Sequence, residues 1–123
     1  MKISCGTDII EIDRIKSSIE NIGDKFLTKI YTNKEIEYCE SRKAKKYQHY
    51  AARFAAKEAI FKALSTKIRW SYNWTDFEIL NNKNGKPNVV LINKIENLED
   101  IDISISHCKK YAVATAIAIF KES

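Results

Sequence analysis

Four charged side chains, Arg53, Lys57, Glu58 and Lys62, interrupt the stretch AARFAAKEAIFKAL (51–64), which is otherwise made of apolar residues. Wound into a helix, the stretch is apolar on nearly every side. That is the pattern of a buried helix, in which a charge is costly unless it is paired or bound. Arg53 and Lys57 are a like-charged i, i+4 pair and repel unless an anion lies between or beside them. Three cations beside one carboxylate point to a phosphate-rich ligand held together with a divalent metal. A plainer reading covers part of the pattern: Glu58 and Lys62, in the favourable i, i+4 order, make one surface ion pair worth a few tenths of a kcal/mol.

Divalent metal of the Mg²⁺ type takes oxygen ligands, commonly one or two carboxylates with phosphate oxygens and water, so a second carboxylate is required. Asp8 is the candidate, placed after Gly6-Thr7 at the end of an apolar strand where a side chain can face a cleft. Its plainer role is an N-cap for the helix that follows. Glu11 and Asp13 are rivals that solvation on a helix surface explains more simply. Ser104, Ser106 and His107 close an alternating strand. Neighbours in a strand point to opposite faces, so a Ser106-His107 nucleophilic pair is disfavoured; phosphate binding at the strand end, or a half-exposed polar face, are the readings left. Asn84-Gly85-Lys86-Pro87 reads as a hairpin turn, and a lysine on such a rigid turn could touch a phosphate. The basic run RKAKKYQHY (42–50) would suit nucleic acid, while a solvated helix end explains it more cheaply.

The elements that must position these residues can be read from periodicity. Lys2 to Ile10 begins strand-like. Ile12, Ile15, Ile19, Ile22, Phe26 and Ile30 are spaced by threes and fours, predicting an amphipathic helix broken near Gly23. Thr32 precedes Glu35 by three, the capping-box signature of a helix running to about Lys43. Residues 48–65 predict a long alanine-rich helix. TDFEIL (75–80) and NVVLI (88–92) flank the Asn84-Gly85 turn and predict a hairpin. IDISIS (101–106) and YAVATAIAI (111–119) predict a second hairpin turning at 107–110. Helices first and an antiparallel meander later give an α+β class, with helices packed on one face of the sheet. Ala112, Ala114, Ala116 and Ala118 form a face of small side chains that either the long helix or another subunit approaches closely.

The 123 residues suit a single domain, 1–123, and the 45% hydrophobic and 30% charged composition excludes disorder and repeat scaffolds. No apolar run is long enough for a membrane span and the N-terminus lacks a signal-peptide layout, so no membrane role and a cytoplasmic protein are expected. Cys5, Cys39 and Cys108 show no paired spacing, which predicts reduced thiols and argues against a zinc site with His49 or His107. The net charge of +5 favours anionic partners without choosing among them.

GTDIIEIDRI, RFAAKEAIFKAL, NGKP and ISISH, in this order and spanning nearly the whole chain, resemble the motifs of the holo-acyl-carrier-protein synthase family. The resemblance implies a 4′-phosphopantetheinyl transferase-like fold assembling as a homotrimer, with active sites at subunit interfaces. It also implies transfer of the phosphopantetheine arm of coenzyme A to a serine of acyl carrier protein in support of fatty acid biosynthesis. By this resemblance Asp8 and Glu58 hold Mg²⁺ and, with Lys62, are the catalytic residues. The serine proton passes to Glu58 directly or through water. Coenzyme A contacts fall to Arg53, Lys57, Lys62, Ser106 and His107, to Gly85, Lys86 and Pro87 along the pantetheine, and more weakly to Lys45 and Lys46 at the 3′-phosphate. The acidic carrier docks on Arg14, Lys25, Phe26 and Phe54. Where further cations are usual on the docking helix this chain has Ser17, Ser18, Glu20, Asn21 and Asp24, and Ser65 stands where Gly usually follows KAL. Two alternatives are a basic nucleic-acid module using residues 42–50, which leaves Asp8 and Glu58 idle, and a coenzyme A-binding protein without catalysis.

Overall fold

The computed structural model describes residues 1–64 and 72–121; Ser65 lies outside the described residues. Strand β1 (Lys2–Glu11) runs directly into α1 (Ile12–Ile22). Gly23, at φ 76°, separates α1 from α2 (Asp24–Ile30), so the predicted break falls where expected. Helix α3 (Asn33–Ser41) opens with the expected capping box: Glu35 N donates to Thr32 Oγ1 and Thr32 N donates to Glu35 Oε1 at 2.8 Å. It stops short of Lys43, which has φ 54° and begins a 3₁₀ turn (Lys43–Lys45) leading into α4 (Lys46–Leu64). A second 3₁₀ turn (Trp74–Asp76) precedes β2 (Phe77–Asn81), β3 (Pro87–Leu91), β4 (Leu98–His107) and β5 (Tyr111–Phe120).

The strands do not form one meander. β2 and β3 are a separate antiparallel hairpin, while β1, β5 and β4 form a three-stranded antiparallel sheet in that order. The hairpin turn also differs from the tight two-residue turn that Asn-Gly suggests. Only Gly85 takes a positive φ, 82°, and the Asn82 side chain accepts from the backbone N–H groups of Asn84 and Lys86 at 2.9 and 3.0 Å. A five-residue loop results because the Asn82 amide supplies local hydrogen bonds that the strands would otherwise provide.

Helix α4 covers one face of the three-stranded sheet. Ala114, Ala116 and Ala118 are buried beneath it with Ala55, Ala56, Ala59 and Ala63, and Ala112 with Ala51 and Ala52, so the close neighbour of the alanine face is the long helix of the same chain. Contact is close at Gly6, which pairs with Ala116. A Cβ at Gly6 would fall against the carbonyl oxygen of Ala59, 2.7 Å from Lys62 Cβ and 2.8 Å from Ala63 N. Small residues on both layers thus set the spacing of β1 and α4. The other face of the sheet carries Ile3, Cys5, Thr7 and Ile9 of β1 beside Val113, Thr115, Ile117 and Ile119 of β5. It is uncovered, with Ile3 and Ile9 exposed to 61% and 63%.

Candidate active site

Asp8 lies inside β1, facing α4 as Gly6 does, and is not the cap of α1; Glu11 holds the N-cap position with no side-chain hydrogen bond. Because Gly6 lets α4 approach so closely, Lys62 leaves the helix immediately over β1. Its Nζ donates to the Thr7 carbonyl oxygen at 2.9 Å and to Asp8 Oδ1 at 3.2 Å. The plain Glu58–Lys62 pair is therefore incomplete as a description, since Lys62 reaches across to the strand. Glu58, one turn earlier on α4, is half-buried, and its carboxyl pKa is raised by burial and by the charge of Asp8, with Lys62 pulling the other way. Two neighbouring carboxylates, with an ammonium and the Thr7 carbonyl oxygen it bonds, form an oxygen-rich pocket suited to a hard divalent cation. Among the described residues no group of three or more His, Cys, Asp or Glu could hold a metal. The chain thus offers two carboxylates and leaves the remaining positions to phosphate or water, which is how Mg²⁺ is commonly held with phosphate substrates.

The other charges of α4 turn away from this pocket. Lys57 is fully buried, and its Nζ donates at 2.7 Å both to Glu35 Oε1 and to the Ile30 carbonyl oxygen. Glu35 Oε2 accepts from Ile79 N at 2.9 Å, and Glu78, also buried, accepts from Thr32 Oγ1 at 2.5 Å. Lys57, expected as a coenzyme A contact, is held here by partners within the chain. The anion its charge demanded is a carboxylate of the same chain, and burial lowers its pKa against the pull of Glu35.

Arg53 is 2% exposed, donates from Nε to the Ile79 carbonyl oxygen at 3.2 Å, and lies 4.4 Å over the Tyr38 ring. Its Nη2 is buried without a hydrogen-bond partner. Arg42 also lies over Tyr38, and His49 meets the ring edge-on. Burial, and then Arg53, Arg42, His107 and Lys45, lower the pKa of His49 to about 4. His107 Nε2 lies 3.3 Å from Gln48 Nε2 near the start of α4, whereas Ser106 points to the opposite, uncovered face of the sheet. The strand pleat that argued against a Ser106-His107 pair also parts them as ligands within one chain. Lys45 sits in the 3₁₀ turn, Lys46 pairs with Glu40 at 3.2 Å, and Lys86 in the β2–β3 loop lies 3.7 Å from Asp102. Gln48 and Glu58 are about 15 Å apart along the helix, so one chain gathers Asp8, Glu58 and Lys62 but holds His107 at a distance.

Arg14 and Lys25 are exposed on α1 and α2. Phe26 and Phe54 are half-buried with ring centroids 6.3 Å apart, and Phe54 stacks on Trp74 at 5.0 Å. Glu35, Glu78, Tyr38 and Trp74 carry no sequence signal of a role beside α4. Glu35 alone carried a signal, its capping box, and that signal spoke only for the helix start.

The model of the 4′-phosphopantetheinyl transferase superfamily matches residues 4–116 of the chain. The chain belongs to this superfamily. Among its relatives in the family, the holo-[acyl-carrier-protein] synthase of Ruminiclostridium cellulolyticum is 52% identical over 129 residues, covering 100% of this chain and 96% of that protein. The corresponding synthase of Protochlamydia amoebophila is 45% identical, covering 95% and 98%. The expected kinship with holo-acyl-carrier-protein synthases, which are 4′-phosphopantetheinyl transferases, is met. Among solved structures, the Bacillus anthracis synthase in complex with coenzyme A (3′,5′-ADP) superposes with a TM-score of 0.79 at 34% identity, covering 94% of each chain. The Helicobacter pylori synthase in complex with coenzyme A does so with 0.81 at 29%, covering 94% of this chain and 99% of that one. The α+β arrangement of helices on an antiparallel sheet is the family's. No helix among the described residues is long and apolar enough to cross a membrane.

Proposed function

We propose that the chain transfers the 4′-phosphopantetheine group of coenzyme A to a serine hydroxyl of an acidic acyl carrier protein, releasing adenosine 3′,5′-bisphosphate, in support of fatty acid biosynthesis. The observation that carries this reading is the convergence of Asp8, Glu58 and Lys62 where β1 meets α4, in a chain whose relatives include coenzyme A-bound synthases. Mg²⁺ held by Asp8 and Glu58 would neutralise and orient the pyrophosphate. The remaining work belongs to side chains, because phosphoryl-type transfer needs positioning and charge neutralisation more than covalent help. Lys62 Nζ offsets charge on the leaving phosphate. Glu58, with its raised pKa, accepts the serine proton directly or through one water.

Arg53, whose Nη2 has no partner, joins His107 and Lys45 as phosphate contacts, with Lys46 secondary and Gly85 to Pro87 alongside the pantetheine. Arg14 and Lys25 attract the acidic carrier, and Phe26 and Phe54 offer its helix an apolar seat between α1, α2 and α4. The uncovered sheet face, with Ile3, Ile9, Tyr111 and Ile117 exposed, is read as the contact surface of a homotrimer. Ser106 lies on that face, so it serves a site shared between neighbours.

The test incubates the purified protein with apo acyl carrier protein, coenzyme A and Mg²⁺ and reads the carrier's intact mass. A phosphopantetheine-sized gain that EDTA abolishes is expected. No gain with a carrier that another synthase can load would remove the reading.

A further inference from the structure

Lys62 occupies a position that the proposed metal role of Asp8 does not require. Its ammonium bonds the carboxylate oxygen Asp8 Oδ1 at 3.2 Å and the adjacent Thr7 carbonyl oxygen at 2.9 Å, two oxygens that a hard cation at this place would seek. The side chain's two ends differ in freedom. Its Cβ is wedged over Gly6, where β1 and α4 approach closely, whereas the side chain as a whole is 52% exposed and Asp8 only 17%. Lysine's stem has four rotatable carbons and a compact, strongly hydrated head. A fixed root on a half-exposed, flexible side chain lets the ammonium leave Asp8 without any change in the backbone.

Glu58 stands within the electrostatic reach of both Asp8 and Lys62, so the three groups share one charge balance. Two carboxylates and one ammonium leave the pocket one negative charge. A divalent cation entering alone meets a positive charge already bonded to Asp8. One entering with a pyrophosphate brings an acceptor to which the ammonium can turn.

Resting on the function proposed above, we infer that Lys62 couples the two ligands: it guards Asp8 against metal alone and yields it when a pyrophosphate-bearing nucleotide arrives. Removing Lys62 should therefore change metal affinity in opposite senses in the two conditions. Coupling of this kind is reciprocal, so metal must raise nucleotide affinity by the same factor.

The test titrates Mn²⁺ into the full chain, wild type, Lys62→Met and Lys62→Gln, with and without coenzyme A, reading free Mn²⁺ by electron paramagnetic resonance and folding by circular dichroism. Without coenzyme A both variants should bind Mn²⁺ about tenfold tighter than wild type, and the enhancement given by coenzyme A should shrink by more than about tenfold, so that with coenzyme A they bind Mn²⁺ more weakly than wild type. Unchanged Mn²⁺ affinity without coenzyme A overturns the inference. Equal tightening in both conditions also overturns it, because Lys62 is then only a nearby repulsive charge. Absence of Mn²⁺ binding in every sample, with coenzyme A still bound, removes the metal reading itself and the inference with it.

Discussion

Lys57 and Glu58 are neighbours in sequence, yet α4 delivers them to opposite environments. Lys57 enters a dry network with Glu35, the Ile30 carbonyl, Thr32 and the β2 backbone, in which every charged group has a short, directed partner. Glu58 faces the half-open pocket over β1, where burial and then the charge of Asp8 raise its pKa, beside Lys62, whose side chain is half exposed. One region resolves its charges internally. The other leaves them poised for a ligand. A charge on a buried helix is thus no signature of a site by itself; what separates the two is whether the surrounding chain completes the hydrogen bonding.

The largest effect that sharpens this contrast is on the closed side. Lys57→Ala leaves Glu35 buried without its cation and should cost about 3–5 kcal/mol in urea unfolding, with part of the loss recovered in Lys57→Met/Glu35→Gln. A loss below about 1 kcal/mol would mean that the network is not a stabilising unit. Gly6→Ala tests the packing that brings the two regions' helix onto β1. The added Cβ meets backbone of α4, and about 2 kcal/mol of destabilisation is expected, with the spacing of Lys62 and Asp8 disturbed.

A smaller effect appears with pH at the Tyr38 corner. The folded pKa of His49 is lowered to about 4 from the ordinary 6.5, so its contribution to stability is complete above pH 6.5 and is lost as pH falls from there toward 4. His49→Leu should therefore be more stable relative to wild type at pH 5 than at pH 7.5, by about 1 kcal/mol after allowing for partial exposure. A pH-independent difference would mean that burial and the cationic surroundings do not lower the pKa of His49. The smallest effect lies on the docking helix: Arg14→Glu should weaken the carrier interaction by about fivefold, near 1 kcal/mol, and leave coenzyme A affinity unchanged. Equal loss of both would misplace Arg14.

Much of this architecture was legible because it is local. Thr32 and Glu35 fix the start of α3 through bonds three residues apart, and the α1–α2 break needs only Gly23. The second job of Glu35, receiving Lys57 and Ile79 N from 22 and 44 residues away, has no local signature. For that reason Lys57 read as a ligand contact, with no sign of its pairing with Glu35. The alanine face announced a close neighbour but not which one, since helix and subunit demand the same small side chains. Asn84-Gly85 announced a turn, while the five-residue loop depends on the Asn82 side chain. Asp8, Glu58 and Lys62 were named from spacing and motif; that Lys62 reaches Asp8 depends on Gly6, whose packing only the assembled layers reveal.

Glu58→Gln tests the division of α4 most directly, by unfolding and by carrier loading in one preparation. Stability is predicted to change by less than about 0.5 kcal/mol while transfer is lost. A folded variant that transfers at a near-normal rate would contradict the account, and so would a variant that loses stability as Lys57→Ala does.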